Sequence, residues 1–203
     1  MRPPDVMLGP DMVRATDGAE ARRVGEITGD AFRDDPVSRW MLGTESAIRG
    51  MFGTLATGHY SPRGLAYRLG DEGACMWMLP GGAAELPFWT EQRIRLTILL
   101  RASRGAVSRV TQAVAAMAAA HPAFPHAYLF SVGVRPAARG KGLGRRLLAP
   151  VLAACDEAGL PAYLENSNPA NTGFYTAAGF EHMQWLIPRA DAPPFQAMLR
   201  PPR

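Results

Sequence analysis

One segment constrains this chain more than any other: a strand, a glycine-rich basic loop and an apolar helix in direct succession. Residues His126 to Val134 alternate as a strand. "RPAARGKGLGRRLL", Arg135 to Leu148, then packs five basic residues and three glycines ahead of a helix. Leu147, Leu148, Val151, Leu152 and Cys155 give that helix the stripe of one packed against a sheet. Pro150 interrupts the stripe and should kink it. Positive charge, bare backbone and a helix start in one place suit a small phosphate-bearing ligand. The free N–H groups and partial positive charge of a helix N-terminus attract anions, and glycine lets them approach the backbone closely.

Two familiar phosphate loops fail on spacing. GxxxxGK[ST] is excluded because Gly140-Lys141 is followed by Gly142. GxGxxG is excluded because Gly140, Gly142 and Gly144 give GxGxG. The net charge of +4 is gathered at Arg135, Arg139, Lys141, Arg145 and Arg146. No basic tail or basic amphipathic helix accompanies it, so a nucleic-acid partner is not expected.

The rest of the chain reads as one α/β domain. Met12 to Ala15 suggests a first strand, and residues 1–10 read as a loose tail. Asp17 to Glu20 matches a capping box ahead of a helix through Phe32, broken at Pro36. A second helix is expected from Ser38 or Thr44 toward Tyr60. Leu65 to Leu69 and Ala74 to Leu79 flank the turn Asp71-Glu72-Gly73 as a hairpin. Ala83 to Ala120 reads as two helices meeting near Ser103-Arg104-Gly105, with Ala113 to Ala120 as plain core. Ala162 to Asn166 is a strand, Asn171 to Ala178 a short helix stopped by Gly179, and two strands follow near His182–Pro188 and Phe195–Arg200.

Cys75 and Cys155 are the only cysteines and sit among apolar residues, which suggests reduced core thiols in a cytoplasmic protein. With no CxxC and no His/Cys cluster, no metal site is expected. No apolar leader opens the chain, and prolines and histidines interrupt the least charged run, so neither a signal peptide nor a membrane span is expected.

The spacing R-x-x-G-x-G after a strand ending Val-x-Val-x-Pro resembles the GNAT acetyltransferase superfamily, with Arg139, Gly142 and Gly144 at the fixed positions. A second stretch, "LENSNPANTGFYTAAGF", is similar to the next strand, loop and helix of that family. "AFRDDPVSRWM" and "ACMWMLPGG" extend the likeness toward the puromycin N-acetyltransferase group. It is densest from His126 to Phe180 and weakest between Ala83 and Pro125, where acceptor specificity could lie.

The resemblance implies a mixed, mostly antiparallel sheet of about six to seven strands flanked by helices. It implies acetyl-CoA as cofactor. The main-chain amides of Arg139, Gly140, Lys141, Gly142, Leu143 and Gly144 would take the diphosphate, with Arg145 adding charge. Val132, Gly133 and Val134 would run beside the pantetheine arm, and Asn171 would contact it. Tyr175 would protonate the leaving thiolate. Many relatives carry a glutamate on the strand before the loop, but "HAYLFSVGV" has no carboxylate. Glu165 is the first alternative as base, followed by His126 and the pair Asp34-Asp35. The same two aspartates could attract a cationic amine. Phe32, Trp40, Trp77, Phe88 and Trp89 could line an apolar acceptor pocket. The function this implies is acetyl transfer to a primary amine of a small molecule. A peptide amine and a non-catalytic acyl-CoA sensor remain alternatives. A homodimer is a family expectation.

Overall fold

The computed structural model describes residues 1–2, 5–82 and 85–203. Its centre is a seven-stranded sheet in the order β1-β2-β3-β4-β5-β7-β6. The strands are β1 Met12–Arg14, β2 Leu65–Leu69, β3 Gly73–Met78, β4 Ala127–Val134, β5 Ala162–Asn166, β6 Glu181–Leu186 and β7 Phe195–Arg200. Every neighbouring pair is antiparallel except β4 with β5. Alternation along β2 and β3 sends Leu65, Tyr67, Leu69, Cys75 and Trp77 to one face, and Ala66, Ala74 and Met76 to the other. Both faces are therefore covered, and each fully buried leucine or phenylalanine stabilises the fold by about 1.5–3 kcal/mol.

One face carries helix α7, Leu143–Glu157, whose Leu147, Leu148, Val151 and Cys155 are fully or almost fully buried, as their spacing requires. Pro150 does not end α7. Near the N–H it removes, the Tyr67 hydroxyl donates to the Leu147 carbonyl at 2.5 Å. Cys75 and Cys155 are free and buried, and burial pushes both thiols up to about 12. Within the leading segment, Val6 is buried in this core, and Arg14 donates to its carbonyl.

The other face carries α1 Gly18–Ala31, α2 Pro36–Leu42, α3 Glu45–Leu55, α5 Phe88–Arg101 and α6 Ala106–Ala120. Asp17 caps α1 by accepting from the Ala19 and Glu20 amides. Glu20 completes no reciprocal box and instead pairs with Arg68 of β2. Pro36 starts α2 as well as ending the segment before it, because its fixed φ suits a first helical position. The single helix expected toward Tyr60 is two, separated by Gly43 at φ 77° and restarted by Thr44 as N-cap. A π-turn, Ala56–Tyr60, and the one-turn helix α4, Ser61–Arg63, continue α3. The alanine run of α6 is not plain core: from Ala113 to Ala120 only those two terminal alanines are buried. Alanine there serves helix propensity on a largely solvated helix.

Candidate active site

The site begins where the sheet comes apart. β4 and β5 run parallel and pair for only three residues each, Ala127–Leu129 with Ala162–Leu164. Beyond that point β4 stays with β3 and β5 stays with β7. A bulge marks the parting: Trp77 pairs with Leu129 and Met76 with Ser131, leaving Phe130 as the extra residue. The bulge changes parity, so Val132 and Val134 pack on the α7 side while Gly133 lies under Ala31 of α1.

The glycine loop starts at the end of β4. A 3₁₀ turn, Pro136–Ala138, leads to Gly140 at φ 79° and Gly142 at φ 75°. Side chains rarely adopt that left-handed region. Gly142 is the N-cap of α7 and offers no capping side chain, so the first-turn amides have no side-chain acceptor. These amides face a cleft of about 460 Å³. Its walls include Val132, Gly133, Val134, Arg139, Gly140, Gly142, Leu143, Gly144 and Arg145. The opposite wall is Asn168, Asn171, Phe174 and Tyr175, and the mouth carries Phe32, Asp34 and Asp35. The cradle has almost no spare room at Gly144, where an added Cβ would sit 3.1 Å from the Phe174 ring.

The basic cluster is mostly committed within the chain. Arg139 donates to the carbonyls of Ala31 and Val134, which ties the loop to α1 and β4. Arg135 pairs with Asp30, Lys141 with Glu72, and Arg146 with Asp11. Among the described residues, Arg145 is the member of the cluster with no such partner. Lys141 does not line the cleft, and its ammonium is turned toward Glu72 in the β2–β3 turn.

Tyr175 lies on the short helix α8, Thr172–Ala177, which a 3₁₀ turn at Pro169–Asn171 introduces and Gly179 closes. It is 8% exposed and flanked by the rings of Phe174 and Phe180. Its hydroxyl makes no hydrogen bond among the described residues. Burial, and then the Asp35 carboxylate, raise its pKa well above the ordinary phenol value. Asp35 has both oxygens occupied: it caps α2 at the Ser38 amide, 2.9 Å, and accepts from the Ser167 hydroxyl, 2.6 Å. Burial raises its pKa. Asp34 is exposed and pairs with Arg33.

Glu165 does not line the cleft. It sits on the α6 side of β5, its side chain 6% exposed, with His121 Nδ1 3.8 Å from Oε1. Tyr128 and Tyr163 surround it, and burial and then its charge raise the pKa of both phenols. His126 is tied to His121 and to the Phe124 carbonyl.

Four of the five aromatic expectations need correction. Trp77 is fully buried in the core beneath α7, because β3 is covered on both faces. Trp40 lies outside the cleft with the Arg189 guanidinium 5.7 Å from its ring. Phe88 and Trp89 are exposed at the start of α5, in contact with each other. Phe32 alone of the five lines the cleft, packed on Phe52 at 4.7 Å. Sequence reasoning missed Phe174 and Asn168. Phe174 adjoins Tyr175 in a helix already assigned to the site, and Asn168 lies in the matched loop. It also missed His121, which carries no motif and ends an alanine-rich helix. Among the described residues no group of three or more His, Cys, Asp or Glu converges on a metal position, and no helix is long and apolar enough to cross a membrane.

Comparison with known proteins bears directly on this arrangement. The acetyltransferase (GNAT) family model matches residues 77–180, from β3 through the cleft to the end of α8. An uncharacterised N-acetyltransferase of Schizosaccharomyces pombe is 39% identical over 77 residues, covering 37% of this chain and 31% of that protein. The chain thus spans about a third of the length of that curated relative. A solved structure described as histone acetyltransferase HPA2 and related acetyltransferase, from Corynebacterium glutamicum, superposes with TM-score 0.70 at 23% identity. It covers 97% of this chain and 98% of its own. Arylalkylamine N-acetyltransferase 2 from Aedes aegypti superposes with TM-score 0.62 at 11% identity, covering 95% and 100%. The two superpositions establish the fold, and the family model spans half the chain, including the parted strands β4 and β5, the glycine loop, α7 and α8. The chain therefore belongs to the GNAT family of acetyltransferases, whose acyl donor is acetyl-CoA.

Proposed function

We propose that the protein transfers an acetyl group to a primary amine of a small molecule, by direct attack within a ternary complex. The observation that carries this reading is the cleft between parted strands, with uncapped helix amides at one end and an unpaired tyrosine hydroxyl at the other. Acetyl-CoA, when bound, supplies the activated acetyl thioester. The remaining work falls to the chain. The amides of Gly142 to Arg145 fit a diphosphate because nothing in the chain caps them. Val132 and Val134, freed from β5, offer main-chain groups to an extended arm. A backbone N–H near Val132 would stabilise developing negative charge. Tyr175 holds a proton on its hydroxyl for the departing sulfur, and its raised pKa keeps that proton on at neutral and alkaline pH.

Glu165 takes the amine proton in this reading. In its support, Glu165 Oε1 is buried and makes no hydrogen bond. The small-molecule preference rests on the enclosure of Glu165, which suits a compact amine better than an extended peptide. Asp34 at the mouth would draw a cation in. The nearer likeness to the puromycin N-acetyltransferase group is carried only as far as the donor, because the segment of weakest likeness forms α5 and α6. The buried reduced thiols favour a cytoplasmic setting, and a homodimer remains a family expectation.

The same enclosure favours one rival: if no amine reaches Glu165, the protein binds acyl-CoA without turnover. Thiol release from acetyl-CoA decides between them, measured across arylalkylamines, polyamines, aminoglycosides, amino acid amides and short peptides. Turnover with a small primary amine and none with peptides is expected. Tight CoA binding with no turnover on any amine would establish the non-catalytic rival, and turnover on peptides alone would move the acceptor class.

A further inference from the structure

Behind the cleft, six ionisable side chains from four parts of the chain meet on the α6 side of the sheet. Tyr128 of β4 stands opposite Tyr163 of β5 in the parallel register, and Glu165 follows Tyr163 on the same face. His121, just past α6, packs its ring on Tyr128 at 4.9 Å, Tyr163 at 5.1 Å and His126 at 4.7 Å. Tyr60, from the π-turn, also feels the Glu165 charge. These tyrosines and histidines are the titratable groups that face Glu165.

The hydrogen bonds around the two histidines fix where their protons lie. His126 Nδ1 is 2.8 Å from the Phe124 carbonyl, which can only accept, so that nitrogen carries a proton. Burial and the neighbouring His121 hold His126 toward its neutral form, so its Nε2 is a lone pair. That Nε2 is 3.1 Å from His121 Nε2. One proton must lie between them, and it belongs to His121. A neutral His121 would then present a bare Nδ1 to Glu165 Oε1 at 3.8 Å. Two lone pairs would face each other there unless a further proton occupies that gap, on the carboxyl or on the imidazole. The separation exceeds a direct hydrogen bond, so a small ring rotation or one water must bridge it. His121 also reaches the outside: its side chain is 37% exposed, against 6% for Glu165.

We infer that His121 is the proton exit for Glu165, and that His126 is a positioning residue that fixes the His121 tautomer. This rests on the reading of Glu165 as base. The steps balance in protons alone. The amine N–H breaks as an O–H forms on Glu165. That proton passes to His121 Nδ1, giving an imidazolium. His121 then gives up its Nε2 proton to water at its exposed edge. Exchange with solvent restores the starting tautomer. One proton leaves the amine and one enters solvent per turnover, and the carboxylate is reset without opening its enclosure.

Two measurements test this. The first needs no acceptor: nitrogen-detected NMR of the imidazole tautomers in wild type and in Glu165→Gln. The expected result is His126 as the Nδ1–H tautomer and a His121 Nδ1 signal that changes when the carboxylate is removed. Identical His121 nitrogen signals in both proteins would overturn the inference. The second is kinetic, with acetyl-CoA and the fastest amine from the acceptor panel, on His121→Asn and His121→Ala. A fall in kcat on the scale of a lost proton-transfer group, ~10²-fold, is expected, with acetyl-CoA KM within about twofold. The solvent isotope effect should rise, and added imidazole should rescue His121→Ala but not Glu165→Gln. Wild-type kcat and isotope effect in both His121 variants, beside an inactive Glu165→Gln, would remove the relay and leave the base reading standing. Wild-type turnover by Glu165→Gln would remove the base reading itself, and His121 would lose its role with it. His126→Gln should leave His121 as a mixture of tautomers. An unchanged tautomer there would cancel the positioning role.

Discussion

The two sides of the parted strands are built on opposite principles. On the donor side, the surfaces are largely backbone: the end of β4, the loop from Arg135 to Gly142 and the first turn of α7. Side chains there mostly hold the loop in place, as Arg139 does by reaching the carbonyls of Ala31 and Val134. On the side we propose for the acceptor, the surfaces are side chains: Tyr60, Tyr128, Tyr163, His121 and His126 around a buried carboxylate. Backbone recognition demands particular conformations, so it writes glycines into the sequence. A box of side chains demands only that distant positions converge, and convergence leaves no local mark.

Tyr175 stands at the junction and gives the largest expected effect. Tyr175→Phe keeps the ring that packs on Phe174 and Phe180 but removes the proton. We expect kcat to fall by ~10²–10⁴ with acetyl-CoA affinity within a few-fold, read from turnover and calorimetric binding. An equal loss in affinity would move the tyrosine wholly to the donor side. The pH profile sharpens the point. Burial and the Asp35 charge both disfavour the phenolate, so the folded pKa is raised and the proton is retained as pH climbs. Wild-type kcat should show no loss from this group below the ordinary phenol value of about 10. An alkaline limb near neutral pH that vanishes in Tyr175→Phe would contradict this.

Next comes the backbone cradle. Gly144→Val pushes a branched side chain against Phe174 and into the space before the α7 amides. Loss of one charge-assisted contact, about 1.5–3 kcal/mol, corresponds to a roughly 10–100-fold weaker acetyl-CoA Kd. Thermal unfolding should confirm that the variant is folded. Wild-type affinity would show that the ligand does not approach that turn.

The smallest effects should come from charge. Arg145→Ala should weaken acetyl-CoA binding by no more than about fivefold at low salt, and less as salt rises, because an exposed charge pair is worth about 0.2–1 kcal/mol. Lys141→Ala and Arg146→Ala should change the Kd less than Arg145→Ala does, since their charges already meet Glu72 and Asp11. Equal effects from all three would mean that the cluster acts as a diffuse field and not through one free arginine.

The same contrast explains what could be read from the sequence. The hairpin of β2 and β3, the strand β5 and the stop at Gly179 were legible because alternation and turn residues are local. So were the strand, glycine loop and helices that bring Arg139, Gly142, Gly144, Asn171 and Tyr175 to one cleft. The aromatic expectations fared differently. Trp77 and Phe32 are both large and apolar, and only the layering of the sheet puts the first under α7 and the second in the cleft. Asp35 read as a lure for cations, whereas its register makes it the cap of α2 and the acceptor from Ser167. High helix propensity placed Ala113 to Ala120 in the core, yet a helix of alanines has the same propensity in water. His121 was invisible, since its partners lie on two strands that its own segment does not predict.

The short pairing of β4 with β5 has a consequence for how the molecule trades its amide protons with water. In most sheets the slowest-exchanging amides lie in the central strands and the fastest at the edges. Here β4 is the central strand, yet past Leu129 it has no ladder with β5, so its backbone groups on that side face an open wedge. Deuterium should enter the middle of this sheet early, at some of residues 130–134, while β2 and the α7-facing core remain protected. Adding CoA should slow that island selectively. A strand that is interior by position would then behave as an edge until its missing neighbour, the ligand, arrives.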